Sequence, residues 1–359
     1  MKTRVCRLYG QGDIRIEEAD VAAPGPGEVL VAMAAGGICG SDLHYYQDGG
    51  FGPIRVREPI VLGHEVAGTV RAVGAGVEGV APGDRVAVNP SRPCNACRYC
   101  LDGLQQHCLA MRFFGSALRF PHEQGGFRDL MVVDAFQCVR VDNPEVSLAE
   151  AACAEPLAVC LHALNRAGAS AGNLAGKSVL VTGAGPIGIL ALLTARAFGA
   201  TRLFVSDVND TRLALAAEVV PGVVAINPAR EDVGERVRAG TQDGIGCDVA
   251  LECVGNDRAL QSCLDAVRKQ GVIVQTGLHP GKGSVDFFQL TFKDAEIRGS
   301  WCYPTHGWPR TIELIASGAI PARRVVTKRI ALDEAVAEGF EALLDPAGSQ
   351  LKILIDLSR

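Results

Sequence analysis

The sequence predicts an α/β chain built from a β-rich part and a doubly wound parallel sheet with helices on both faces. Over the first 150 residues, short β-branched runs are separated by glycine and proline turns. From Lys177 onward, strand-like and helix-like segments alternate, as they do where helices cross over between parallel strands. At the head of that alternation an apolar strand runs directly into Gly183, Gly185 and Gly188, which open a helix.

Taken in order, the strands of the first part are expected at Val29–Ala34, Val66–Val73, Arg85–Val88 and Phe127–Val133. The alternating part is read as strand 178–182, helix 186–198, strand 202–206, helix 210–219 and strand 223–226. It continues with strand 247–252, helix 258–268 and strand 271–276, and a further helix is expected at 308–317. Residues 178–195 carry no charge, yet the glycines and Pro186 inside them read as a buried strand, a tight turn and a buried helix rather than a membrane span.

Composition narrows the function. The chain of 359 residues has 48% apolar residues, 21% charged residues, 42 glycines and 18 prolines, which describes a globular, turn-rich protein of about two domains. Forty acidic against 35 basic residues leave a net charge of -5, with the basic residues scattered, so there is no electrostatic footprint for nucleic acid or an anionic membrane. The expected partner is a small molecule. The first residues lack the apolar core of a secretory signal, so a cytoplasmic location is expected.

Thirteen cysteines in a reducing compartment call for metal binding or apolar packing rather than disulfides. Cys94, Cys97, Cys100 and Cys108 form C-x2-C-x2-C-x7-C, a set that closes a tetrahedral Zn²⁺ site and leaves no open position, hence a structural site. An iron–sulfur cluster is the other group that four thiolates hold. A second, catalytic zinc is suggested by Cys39 together with His64 and Glu65, a thiolate, an imidazole and a carboxylate.

The glycine turn at Gly183, Gly185, Pro186, Ile187 and Gly188 follows a strand and opens a helix whose N-terminus can meet a pyrophosphate. Asp207 follows the next strand, nineteen residues after Gly188, where a carboxylate bonds ribose hydroxyls and repels a 2′-phosphate, so NAD is favoured over NADP.

The string Gly63-His64-Glu65-x2-Gly68-x5-Gly74-x2-Val77 fits the signature of zinc-containing alcohol dehydrogenases. With residues 36–46, 111–117, 120–122, 125–127 and 154–159, it makes the whole chain resemble the polyol branch of the zinc-dependent medium-chain dehydrogenases, the group of sorbitol and L-idonate 5-dehydrogenases. The resemblance implies a GroES-like catalytic domain, residues 1–156 and 296–359, around a Rossmann NAD-binding domain, 157–295. It also implies a homo-oligomer, dimer or tetramer.

In such enzymes zinc stabilises an alkoxide while the carbinol hydrogen leaves as hydride to the nicotinamide. By resemblance, Ser41 takes the alcohol proton and passes it through the cofactor ribose to His44, and Asp42 fixes the tautomer of His64. Glu155 matches a residue that reaches the catalytic metal or its water, so Glu65 and Glu155 compete as third ligand. Arg212, Thr276, Gly277, Leu278 and Ser300 are implied along the cofactor, and Tyr45 and Phe113 toward the substrate. One departure concerns specificity: Cys302 stands where sorbitol and idonate dehydrogenases carry an arginine, and Arg119 is a candidate replacement cation. The expected reaction is oxidation of a secondary alcohol, L-idonate to 5-keto-D-gluconate first, with sorbitol, xylitol or 2,3-butanediol as alternatives. A zinc-knuckle protein that binds nucleic acid and a cofactor-binding scaffold without catalysis are the readings from other classes, which the charge balance and the intact Cys39, His64 and Ser41 oppose.

Overall fold

In the computed structural model, which describes residues 1–168, 173–345 and 349–358, the chain divides into two compact units. One comprises Met1–Glu155 with Pro304–Arg359, the other Pro156–Tyr303. No helix among the described residues is long and apolar enough to cross a membrane.

The first unit is built on a seven-stranded sheet. Its order runs Cys138–Arg140, Arg85–Val88, Glu65–Val73, Glu28–Gly37, Lys352–Asp356 and Val326–Ala331, with Leu130–Asp134 also pairing to Glu28–Gly37. The strand Glu28–Gly37 can hold three partners because Leu130–Asp134 pairs with its first half and Lys352–Asp356 with its last three residues, while Glu65–Val73 runs along its other edge. Alternation sends Val29, Val31 and Met33 into a core shared with Val66, Val70, Phe127, Ile353 and Ile355, all buried. The first three of the expected strands lie where the β-branched runs are, and the fourth starts at Leu130 rather than Phe127. Phe127 instead donates its N–H to the Leu62 carbonyl and accepts from the Cys6 N–H, outside the ladder.

The second unit is a six-stranded sheet in which every pairing is parallel. The order is Val224–Ile226, Arg202–Ser206, Ser178–Thr182, Cys247–Glu252, Val267–Gln275, Glu296–Gly299. Chain order therefore reads 3-2-1-4-5-6 across the sheet, the Rossmann arrangement, with its switch point beside strand 178–182. The uncharged stretch 178–195 is the central buried strand and the helix Pro186–Ala197, joined by the glycine turn. Asn209 caps Asp210–Val219 by accepting from the Arg212 N–H at 3.0 Å.

Two segments differ from expectation. The helix expected to reach Arg268 ends at Ala266, because Val267 is already extended and opens the strand Val267–Gln275, inside which Gln270, at φ 56°, sits at a break in the register. Glu296–Gly299, expected in the returning tail, pairs in parallel with Val272–Gln275 as the sixth strand. The helix Trp308–Ala316 then buries Trp308, Ile312 and Ile315 within the first unit.

Candidate metal centres and dinucleotide site

The four-cysteine loop folds back on itself so that Cys94, Cys97, Cys100 and Cys108 bring their sulfurs within 4.8 Å of one another. Backbone N–H groups point at the sulfurs: Cys94 to Cys108 at 3.2 Å, Cys97 to Cys94 at 3.3 Å and Ala110 to Cys108 at 3.3 Å. Donors aimed at sulfur favour thiolate, and backbone hydrogen bonds lower Cys94 and bring Cys97 down to about 6, while burial pushes Cys100 up to about 12. Four sulfurs about 2.3 Å from one zinc lie about 3.8 Å apart. The measured 3.5 Å for Cys97–Cys100 and 4.0 Å for Cys94–Cys100 bracket that edge, so the loop fits a single ion.

The second set comes from two elements that pack together. Cys39 precedes the helix Gly40–Asp48, His64 stands just ahead of the strand Glu65–Val73, and Glu65 opens it. Their ligand atoms lie within 4.8 Å of one another. Asp42 is wholly buried at the first turn of that helix and accepts from the Cys39 N–H at 3.0 Å. Its other oxygen lies 3.7 Å from His64 Nδ1, an ion-pair distance and longer than a hydrogen bond. Burial pulls His64 down, but Asp42, Cys39 and Glu155 outweigh it and hold the imidazole well above its ordinary range. The Phe113 ring lies 5.5 Å from the His64 ring. Glu155 is buried within electrostatic reach of His64 but is not one of the three clustered ligands.

Sequence reasoning missed Lys352. Its Nζ lies 2.6 Å from each Glu65 oxygen and donates to the Ile38 carbonyl at 3.0 Å, and it is only 2% exposed. Desolvation opposes its charge, yet Glu65 and Cys39 leave it above its ordinary value. A lysine in the apolar strand Lys352–Asp356 was the available signal, though nothing local names its partner 287 residues away. Asp42, Glu65 and Glu155 are three buried carboxylates set against two basic groups, Lys352 and the raised His64, so the cluster holds more acid than base, a balance that a bound cation would suit.

The dinucleotide candidates cluster at the strand ends of the parallel sheet. Gly185 caps the helix Pro186–Ala197, and a Cβ on Gly188 would meet the Gly183 carbonyl at 1.8 Å, so only glycine permits this turn. Asp207 accepts from the Ala184 N–H at 2.7 Å, tying it to the glycine turn, and from the Asn209 N–H at 2.9 Å. The Thr276 and Ser300 hydroxyls and Arg212 Nε are buried without a hydrogen-bond partner, which suits groups waiting for ligand atoms. The backbone of Thr276 and Gly277 is held by the Glu252 carbonyl, at 2.9 and 2.8 Å. Glu252, also missed, is fully buried and accepts from the N–H groups of Val254 and Gly255, shaping the end of its strand; Leu278 beyond it is exposed.

The remaining candidates are placed as follows. Ser41 lies in the first turn of the helix Gly40–Asp48, and His44, half-exposed on the same helix, bonds Asp48 at 2.9 Å through Nδ1. Tyr45 is buried against Phe51, its hydroxyl accepting from the Ala117 N–H at 3.1 Å. Arg119 is exposed, donates to the Ala110 carbonyl, and lines a cavity whose walls include none of the metal-ligand candidates. Cys302 belongs to the second unit and has φ 45°.

Residues 25–143 match the alcohol dehydrogenase GroES-like domain, and residues 186–317 match the zinc-binding dehydrogenase domain. Human sorbitol dehydrogenase is 35% identical over 98% of this chain and 95% of its own length. L-idonate 5-dehydrogenase (NAD(P)(+)) of Escherichia coli strain K12 is 36% identical over 89% of each chain, and the crystal structure of L-idonate 5-dehydrogenase from that strain aligns with a TM-score of 0.90, 33% identity and coverage of 99% and 98%. The structure of 2R,3R-butanediol dehydrogenase from Bacillus subtilis aligns at 0.86, with 31% identity over 99% of both chains.

Two outcomes are expected. Cys39→Ser abolishes turnover but leaves a folded chain with one zinc by metal analysis; two zincs in that variant would remove Cys39 from the ligand set. Lys352→Met strands the buried Glu65 carboxylate and costs about 3–5 kcal/mol in denaturant unfolding after chelation, and Glu65→Gln in the same chain recovers part of it. Unchanged stability in Lys352→Met would show that the pair carries no weight.

Proposed function

The chain belongs to the zinc-binding, GroES-like alcohol dehydrogenase family, and from that premise we propose that it oxidises a secondary alcohol of a sugar acid or polyol with NAD, L-idonate to 5-keto-D-gluconate being the specific reaction. The observation that carries this reading is the gathering of Cys39, His64 and Glu65 within 4.8 Å, with the Phe113 ring beside His64. When bound, zinc supplies Lewis acidity toward an alcohol oxygen and the nicotinamide supplies a hydride acceptor.

This chain's residues have the following parts. Cys39, His64 and Glu65 hold the catalytic ion, with Glu65 rather than Glu155 as third ligand because Glu65 shares the cluster. Asp42 holds His64 in place, and Glu155 adds negative charge behind it. Ser41 takes the substrate proton and His44 releases it to water, which its half-exposed position on the same helix supports. Cys94, Cys97, Cys100 and Cys108 hold the structural zinc. The turn from Gly183 to Gly188 receives the pyrophosphate, Asp207 the adenosine ribose, and Arg212, Thr276, Gly277, Leu278 and Ser300 the rest of the cofactor.

A second reading, an uncharged polyol or vicinal diol, is favoured by Cys302, which brings no charge toward a carboxylate. An alcohol panel followed by NADH formation tests both. Turnover of L-idonate above that of sorbitol, xylitol and 2,3-butanediol is the expected result; preference for a neutral substrate selects the second reading, and no turnover with any secondary alcohol rejects both. For the nucleotide, Asp207→Ala raises KM for NAD by about tenfold and for NADP by less, since it removes a ribose contact and a repulsion together. Equal losses with both nucleotides would count against Asp207 as the selector.

A further inference from the structure

The Arg119 cavity is separate from everything assigned above. It lies within the first unit, has a volume of about 610 Å³, and gathers four guanidinium groups: Arg92, Arg112, Arg119 and Arg128. The walls hold two carboxylates, Asp20 and Glu123, and both are engaged. Asp20 pairs with Lys2 at 3.1 Å and Glu123 with Arg112 at 2.5 Å. Arg92 is neutralised by Asp134 at 2.6 Å. Arg119 and Arg128 bond only backbone carbonyls, Ala110 at 2.8 Å and Gly125 at 2.9 Å, and among the described residues neither has a carboxylate within ion-pair distance.

Arg128 is the more exacting of the two. It is half-buried, and desolvation together with the neighbouring Arg7 lowers it to about 10, so it stays charged at neutral pH with no anion beside it. His122 offers no relief, since its Nδ1 bonds the Arg119 carbonyl and its Nε2 accepts from the Arg57 N–H. Phe114 and Met131, both buried, supply apolar wall beside the arginines.

We propose that this cavity binds a small molecule carrying an oxyanion, a phosphate ester or a carboxylate, through Arg119 and Arg128. The volume suits a metabolite rather than a macromolecule. Each guanidinium presents a planar fork that matches either oxyanion bidentately. Arg119, expected from the sequence to meet the substrate, thereby serves a second site.

The test is calorimetric titration of the zinc-loaded enzyme, saturated with NADH so that the glycine turn is filled, at low ionic strength. Inorganic phosphate and succinate are the two probes. Saturable binding of one probe per chain is expected, weakened about tenfold or more in Arg128→Gln and in Arg119→Gln and less so in Arg128→Lys. Stronger binding of phosphate identifies a phosphate ester as the ligand class, and stronger binding of succinate a carboxylate. Because Arg119 is exposed, its variant keeps the test open should Arg128→Gln fail to fold. Absence of saturable binding by both probes, or affinities in both glutamine variants equal to the parent's, overturns the proposal.

Discussion

Lys352 and Glu65 bury opposite charges in the sheet of the first unit, and the geometry of the candidate metal ligands around Glu65 follows from how they meet. Isolated charges in such a place carry desolvation penalties of several kcal/mol each, so the pair is tolerable only when contact is close and the remaining donors are satisfied. Both conditions hold: the ammonium touches both carboxylate oxygens and also reaches the Ile38 carbonyl. Room for this exists because Gly37, paired in register with Glu65, has no side chain; a Cβ there would lie 2.0 Å from Glu65 Oε2. Ile38, Cys39 and Asp42 follow directly on that glycine. The ligand-bearing turn is thus seated by an ion pair that itself requires a bare backbone position.

In the parallel sheet, backbone groups rather than ion pairs do the positioning. Strands 178–182, 202–206 and 247–252 end side by side, and each hands its chain to a loop that another strand's end restrains. Asp207, beyond one strand, holds the amide of Ala184 beyond another, and Glu252 holds the amides of Val254, Gly255, Thr276 and Gly277 through side chain and backbone. A site made this way is stiff without being closed, because the bonds lie beneath the loops and leave the Thr276 and Ser300 hydroxyls over.

Features written in contiguous sequence were legible in advance. The cysteine spacing and the glycine turn each reside in one short segment whose local conformation does the work, and the alternation of strands and helices points to a parallel sheet. Legibility stops where chemistry depends on residues brought together by the fold. Glu65 and Glu155 are equivalent carboxylates on the page and differ only in what lies around them. Lys352 looks like an exception in an apolar strand until its partner is known. The helix was expected to run on to Arg268, and the strand to begin only at Gly271, because the strand Val267–Gln275 is broken in register around Gln270, whose positive φ is a state that glycine would have announced and glutamine does not. Arg119 was a candidate replacement for the cation missing at Cys302, and in the fold it lines a cavity apart from the metal-ligand candidates.

The first unit is discontinuous, and that has a bearing on the order in which the protein can be made. A ribosome delivers residues in sequence, so Cys39, His64 and Glu65 emerge long before Lys352, with the whole of the second unit synthesised in between. Until the strand Lys352–Asp356 inserts beside Glu28–Gly37, residues 35–37 at the end of that strand lack a partner on that side and Glu65 has no Lys352 ammonium to meet. The parallel sheet is continuous in sequence and can close while still tethered. The arrangement of the candidate metal ligands, by contrast, waits for a strand that follows the whole second unit in sequence, and until then the end of Glu28–Gly37 is open to other pairings.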